Sequence, residues 1–387
     1  MTPAKKRAAS KKPAAKKAAP KPRKAVAKKA ATQRAEAPRA PVSLVTGACG
    51  FMGSHMVEVL KAAGHEVRAT DLADACAKDD LKRGRYPGVL RRLGVEPIPA
   101  DLTRPHTLEG LADDVDYVFH IAGLFSYSAS WAALTAVNVS GTRNLLQQLR
   151  RKAPNLKRAI VWGAGGVYGF RDREGVPIRE DDSPEPPNDY LRSKWREEWL
   201  VMEAGRQEGL KWSILRPTTV YGPRCVYGAG QLLLGAARMR VPIVMKNFTA
   251  RIPFVHVVDV CRAALHIATS PDAENQIFNL NDDSRMTNIE FFKFVGALEG
   301  RSTVELPALV PMAAIRRFAV GLAKSLDAVA RLAGKRSPLE ADSADYVGRD
   351  ILYSNRKLKD VGFEFTYPDA REGIRDTIAW YHEEGWL

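Results

Sequence analysis

From Val42 to Gly53 the chain leaves room for little besides one local structure. A short β-type run, Val42-Ser43-Leu44-Val45-Thr46, ends in glycines at 47, 50 and 53, and an amphipathic run with Met56, Val57, Val59 and Leu60 follows without a break. That order reads as strand, tight turn and helix. The glycines meet three separate needs: one turns with positive φ, one lets backbone approach a pyrophosphate, and one lets the helix pack on the strand. The helix N-terminus then presents open N–H groups and a positive dipole end to phosphate, which makes Gly47, Gly50, Phe51, Met52 and Gly53 candidate dinucleotide contacts. Val67-Arg68-Ala69-Thr70-Asp71 reads as the next strand. Its terminal acid falls about 20 residues on, where a ribose-binding carboxylate belongs.

Beyond this unit, apolar strands alternate with amphipathic helices, which implies an α/β fold: a doubly wound parallel sheet with helices on both faces. Strands are predicted at 42–46, 66–71, 95–99, 116–121, 158–162 and 212–215. Ligands of such sheets bind beyond the carboxyl ends of the strands. After the third strand, Asp101 and Leu102 are placed to flank an adenine ring, with a plain N-cap for a helix at Leu108 as an equal competitor. After the fourth, His120-Ile121-Ala122-Gly123 brings small residues where a nicotinamide ribose must lie close to backbone; His120 itself fits a packed core position better than a catalytic one.

Tyr190-Leu191-Arg192-Ser193-Lys194 opens a helix after the fifth strand, and the spacing of four puts Tyr190 and Lys194 on one face. That pair suits proton transfer. A phenol of reference pKa about 10 needs a shift of roughly two to three units, or about 3 to 4 kcal/mol, to work near neutrality. An ammonium at about 4 Å supplies about 4 kcal/mol at an effective dielectric near 20.

Composition separates a tail from a body. Fourteen Lys/Arg and one Glu fall in residues 1–40, so +13 of the formal +15 sits there and +2 remains for the rest. Lacking aromatics and large aliphatics, this Lys/Ala/Pro-rich segment cannot offset its ordering entropy and is expected to be disordered. It suits nonspecific, salt-sensitive contact with nucleic acid or an anionic membrane surface; a solubilising extension without a partner is the even alternative. Residues 41–387, with a share of the chain's 45% hydrophobic content, suffice for a sizeable core. Cys49, Cys76, Cys225 and Cys261 lie far apart with no C-x-x-C pair, which favours reduced thiols, no metal site and a cytoplasmic location. Cys49, inside the glycine turn, reads as a small residue filling a turn before it reads as a reactive thiol.

In order, the glycine turn, Asp71, Asp101-Leu102, Asn138-Val139-x-Gly141-Thr142, Tyr190-x-x-x-Lys194 and Leu215-Arg216-Pro217-x-x-Val220-Tyr221-Gly222-Pro223 make the chain from 42 to 387 resemble an extended short-chain dehydrogenase/reductase, of the NAD-dependent epimerase/dehydratase superfamily. The resemblance implies a Rossmann part, mainly 41–220 plus 251–270, and a smaller C-terminal α/β substrate part, mainly 221–250 plus 271–387. It implies Tyr190 as general acid/base, Lys194 as the residue that lowers its pKa and holds the nicotinamide ribose, and Asn138 as a member of the proton relay. Ala122, Gly123 and Pro217 join the cofactor contacts. Asp71 favours NAD over NADP, whose extra phosphate it would repel, while Arg68 argues the other way. A homodimer through the helices near Asn138 and Tyr190 is also implied. One position departs: Ala164 stands where a Ser or Thr normally binds the reacting oxygen, with Ser126, Ser128 and Thr218 as candidate substitutes.

Sugar-nucleotide enzymes of the family carry, ahead of the Val-x-Asp strand, a Gly-rich segment with a Gln and an Arg used on the diphosphate; residues 245–259 do not show that pattern, so the chain looks nearer the 3β-hydroxysteroid dehydrogenase and dihydroflavonol-reductase-like branch. The function so implied is hydride transfer between NAD and a secondary alcohol or ketone of a hydrophobic, sterol-like or flavonoid-like, substrate. The alternatives are a sugar-nucleotide epimerase or dehydratase, and a non-catalytic NAD-binding scaffold or regulator. Residues 308–333 place Ile315, Phe318, Leu322, Leu326 and Val329 on one side of a helix, which suits either a membrane-lying helix or a cap on the substrate part.

Overall fold

Strands whose side chains are apolar on both faces are buried on both faces, and here they form a fully parallel sheet. The computed structural model describes residues 39–170, 175–332 and 341–387. The segment expected to be disordered, residues 1–40, lies outside them except for its last two residues. In chain order the strands are β1 (Val42–Thr46), β2 (Glu66–Asp71), β3 (Ile98–Pro99), β4 (Tyr117–His120), β5 (Arg158–Trp162), β6 (Trp212–Pro217), β7 (Thr219–Tyr221), β8 (Ile243–Met245), β9 (Phe254–His256), β10 (Gln276–Leu280) and β11 (Val304–Leu306). Seven of these make one sheet in the order β10-β6-β5-β4-β1-β2-β3; β7 pairs with β9 and β8 with β11.

The order reverses between β1 and β4, which are joined from Ser43 opposite Tyr117 to Thr46 opposite His120. This is the switch point at which such sheets bind ligands. Leu44, Val45, Phe119 and Ile160 are fully buried between the layers, each such side chain contributing about 1.5 to 3 kcal/mol relative to exposure. On one face, Met56, Val57 and Leu60 of helix Phe51–Ala62 share a core with Val260, Cys261 and Ala264 of helix Val257–Thr269. On the other, Leu145 and Leu149 of helix Thr142–Lys152 pack against Leu44 and Val118. A separate core, with Tyr221, Leu233, Phe254, Phe291, Ile374 and Tyr381, holds the C-terminal part together.

Two boundaries are corrected. Strand β10 pairs with β6 from Gln276 opposite Ser213 to Leu280 opposite Pro217, so residues 276–280 belong to the Rossmann sheet and not to the substrate part. The third strand shrinks to Ile98–Pro99, since Pro97 and Pro99 carry no N–H for a ladder. Helix Met312–Leu332 forms as the periodicity predicts. Of its apolar residues, Phe318, Leu322 and Val329 are exposed; the Asp327 and Arg331 side chains of its polar side lie outside the described residues. Among the described residues no helix is long and apolar enough to cross a membrane.

Candidate active site

The glycine turn closes on itself and on the switch point. Gly47 has φ +68° and accepts a hydrogen bond from Gly50 N at 3.1 Å. A Cβ on Gly47 would stand 2.9 Å from Ala122 Cα, and one on Gly53 2.7 Å from Ala48 Cα. Both are closer than side-chain carbons come, so backbone fills the space that any larger residue would need. Gly50 caps helix Phe51–Ala62 and has no side chain to satisfy the first N–H groups, with no acid in the first turn, which leaves the end suited to an anion. Phe51 is 2% exposed and meets Tyr227 edge-on at 6.2 Å, whereas Met52 is half-buried.

Asp71 ends β2 beside this turn. Its Oδ2 accepts from Cys49 N at 3.0 Å and its Oδ1 from Leu72 N at 2.8 Å; burial nevertheless holds the carboxyl above its ordinary range. Arg68 points elsewhere, donating to the carbonyls of Leu111 at 2.7 Å and Asp113 at 2.8 Å. The argument that Arg68 raised for a second phosphate is thereby removed. Asp101 closes its own turn, its Oδ1 accepting from Thr103 N at 2.9 Å and Thr103 Oγ1 at 2.7 Å. The helix expected at Leu108 is a single tight turn, Pro105–Leu108, so Asp101 caps Thr103 and not that helix. Leu102 is buried against Gly141, where an added Cβ would come within 2.9 Å of its own. Pro217 ends β6, buried, facing Leu280.

Three of the sequence-predicted residues converge at the end of β4. A Cβ built on Gly123 would lie 3.4 Å from Asn138 Oδ1 and 3.7 Å from Lys194 Nζ. Asn138 sits in a π-helical turn, Thr135–Gly141, a distortion that often marks functional positions. Its Oδ1 accepts from Leu124 N at 2.7 Å and its Nδ2 donates to Ser193 Oγ at 2.9 Å, tying the loop after β4 to helix Asp189–Glu208. Tyr190 starts that helix, which Asn188 caps by accepting from Leu191 N. Its ring lies edge-on to Phe125 at 5.1 Å and to Tyr127 at 5.7 Å, and Phe125 also meets Tyr227 at 5.6 Å. Next to this aromatic wall is a cleft of about 600 Å³ lined by Tyr127, Ser130, Trp131, Asn188, Arg192 and Asp342.

The electrostatics differ from the sequence expectation at one point. Lys194, 4% exposed, donates from Nζ to Glu197 Oε2 at 2.6 Å. Tyr190 is pushed above its ordinary value by burial first, and then by the charges of Glu197 and Tyr346. The Lys194 ammonium thus has a partner inside its own helix that the bare i, i+4 spacing did not suggest.

His120 proves to be a packed residue. Thr142 Oγ1 donates to Asn138 O at 2.7 Å, so it accepts from His120 Nε2 at 2.9 Å, while Thr46 Oγ1, 2.8 Å from His120 Nδ1, donates to it. Burial then pulls the imidazole down to about 3, and it stays neutral. Ala164 is half-buried in extended backbone and offers no hydroxyl. Of the candidate substitutes, Thr218 donates to Leu280 O at 3.1 Å and Ser126 accepts from Ser128 N and Ala129 N at 3.2 and 3.1 Å. The residues that sequence reading missed are Glu197 and the aromatics Phe125, Tyr127 and Tyr227. Glu197 was legible only as an i, i+3 partner of Lys194.

The sheet order, the glycine turn at the switch point and the acid ending β2 define a Rossmann dinucleotide-binding protein. The chain belongs to the NAD-dependent epimerase/dehydratase family, whose model matches residues 43–280. It is 33% identical over 187 residues to UDP-glucuronate 4-epimerase 5 of Arabidopsis thaliana, covering 46% of this chain and 42% of that protein. It is 26% identical over 294 residues to the 3β-hydroxysteroid-dehydrogenase/decarboxylase isoform 2 of the same plant, covering 70% of this chain and 50% of that one. These matches span half or less of the relatives' lengths. The structure of Thermus thermophilus UDP-glucose 4-epimerase in complex with NAD superposes with a TM-score of 0.64 at 25% identity, over 88% of this chain and 99% of that one. NAD is the family's cofactor, and the glycine turn, with no room for a Cβ at Gly47 or Gly53, and the Asp71 carboxylate fit it.

Proposed function

We propose that the chain is an NAD-dependent oxidoreductase acting on a secondary alcohol or ketone of a hydrophobic substrate. The observation that carries this reading is the aromatic wall: the Phe125 and Tyr127 rings lie edge-on to Tyr190, Phe125 in turn meets Tyr227, and Tyr127 lines the adjoining cleft, a surface that takes up a ring system by apolar contact and edge-to-face packing. The steroid-dehydrogenase relative accords with this.

In this reading Gly47, Gly50, Phe51, Met52 and Gly53 cradle the pyrophosphate, Asp71 takes the adenosine ribose hydroxyls, and Leu102, beside Asp101, borders the adenine. Ala122, Gly123 and Pro217 border the nicotinamide end. When bound, NAD supplies the hydride acceptor. Tyr190 removes the hydroxyl proton of the alcohol or returns it to the ketone. Lys194 holds the nicotinamide ribose and the charge balance at the phenol, and Asn138 fixes Gly123 and Leu124 against that helix. General acid–base catalysis of this kind contributes about 10² to 10⁴ in rate.

A second reading, a sugar-nucleotide epimerase using the same pair for transient oxidation at a ring carbon, is favoured by the UDP-sugar epimerases among the relatives. Purified protein with NAD, offered steroid, flavonoid and UDP-sugar panels, separates the two. Net NADH formation on an apolar alcohol, lost at least about 100-fold in Tyr190→Phe, supports the first. Interconversion of UDP-sugars without net NADH supports the second. Tight NAD binding with no turnover on any panel would instead identify a non-catalytic NAD-binding scaffold.

A further inference from the structure

Glu197 is fully buried, one turn beyond Lys194, and among the described residues its one hydrogen bond is the 2.6 Å contact from Lys194 Nζ to Oε2. Its other oxygen, Oε1, is buried with no hydrogen-bond partner among the described residues. His120 Nε2 is 3.6 Å from that oxygen, but its N–H is directed to Thr142 Oγ1 at 2.9 Å. The neighbouring acid, Glu198, is separately satisfied: Arg216, reaching down from β6, meets it at 2.6 Å through Nη2 and at 3.1 Å through Nε. Two adjacent buried carboxylates thus have different tasks, one locked to the sheet and one left with Lys194 alone.

We infer that Glu197 is a positioning residue for the proton-transfer pair: it fixes the Lys194 ammonium beside Gly123 and Asn138, and its charge sets how much of that ammonium's field reaches the Tyr190 phenol. This rests on the reading of Tyr190 as the acid–base group.

The electrostatic argument has a definite sign. A buried carboxylate and ammonium in contact form a nearly neutral pair, so an ionised Glu197 cancels the cation that would otherwise stabilise a phenolate. A neutral group at 197 leaves the ammonium uncompensated, and the phenol becomes more acidic. The ionisable groups facing Glu197 are Lys194, Glu198 and Tyr190 on its own helix, His120 from β4, and, through Glu198, Arg216 from β6 with the Tyr168 ring stacked on its guanidinium. Of these, His120 is neutral and Arg216 is matched by Glu198, which leaves Lys194 as the cation that Glu197 balances. Burial, against the opposing pull of Lys194, holds Glu197 above the ordinary carboxylate range.

The test is an ultraviolet titration of phenolate absorbance on the full chain without cofactor, with the Tyr190 contribution isolated by subtracting the same protein carrying Tyr190→Phe. In Glu197→Gln the Tyr190 step is expected at least about one pH unit below wild type, in line with removal of a nearby like charge. Glu197→Asp, which keeps the charge but draws it back from Lys194, is expected in between. A Tyr190 step no lower in either variant, across the pH range where the protein stays folded, would overturn the inference. Should Glu197→Gln not fold, Glu197→Asp decides by the same criterion. Where turnover is found, the acid limb of kcat/KM for alcohol oxidation is expected to move down by the same amount. Because the titration needs no substrate, loss of the oxidoreductase reading and loss of the Glu197 inference are separate results.

Discussion

The Asp71 carboxylate accepts the backbone N–H of Cys49 at 3.0 Å, so the acid that ends the second strand is part of the glycine turn and not merely its neighbour. An anion fixed at that place favours a ribose diol and repels a ribose phosphate. NAD is expected to bind at least about tenfold tighter than NADP, a difference of about 1.4 kcal/mol. Asp71→Asn, which keeps an acceptor oxygen and removes the charge, is expected to erase most of the preference. Calorimetric titration with both dinucleotides checks this; comparable affinities in the wild type would refute it.

Ala164 opens the tight turn Gly165–Tyr168 in extended backbone, φ −150° and ψ 134°, which serine adopts without strain. It is half-buried at the carboxyl end of β5, and a hydroxyl added there supplies the missing donor for a reacting oxygen. Removing one such donor costs about 10² to 10³ in rate elsewhere. Ala164→Ser is therefore expected to preserve or raise kcat on whatever alcohol is turned over. A large loss would show that the pocket is shaped around the methyl group.

Asp282 is buried with one oxygen accepting from Ser284 N and Oγ, at 3.0 and 2.7 Å, and the other without a hydrogen-bond partner among the described residues. Burial pushes its carboxyl up to about 7 from 3.8. A raised carboxyl binds its proton more tightly in the folded chain than in the unfolded one. Its stabilising effect is complete below the unfolded value near 4 and is lost as pH rises through about 7. Glu197 acts in the same direction, whereas His120 and His256, both held near 3 by burial, lower stability as pH falls below about 6.5. Asp282→Asn should unfold at a higher denaturant midpoint than wild type at about pH 8 and lose this advantage at about pH 5. An unchanged difference between the two pH values would count against a protonated Asp282.

Residues 1–40 carry +13 of the formal charge. Deleting them is expected to leave NAD affinity unchanged and to abolish any binding to DNA or anionic vesicles that weakens steeply with salt. Electrophoretic shift and vesicle sedimentation at two salt concentrations check this. Binding retained by the truncated chain would place the basic surface in the body.

What the linear sequence settled are the features whose causes are local. Val42–Gly53 had to be strand, turn and helix because a β-type run, three glycines and an amphipathic run stand in that order, and Gly47 turns with positive φ as expected. Tyr190 and Lys194 had to share a helical face because four residues make about one turn. What only the tertiary structure decided is where these groups spend their charge and hydrogen bonds. Strand β10, only five residues long, joins the sheet through pairing with β6, some sixty residues earlier in the chain, a contact no local pattern announces. Arg68 looked available to a phosphate until folding brought the Leu111 and Asp113 carbonyls to it. Lys194 shares a helical face with Tyr190, but only folding shows its ammonium donating to the buried Glu197. The reason is common to all three: propensity and spacing act within a few residues, but the satisfaction of a buried polar group depends on whatever the whole fold places beside it.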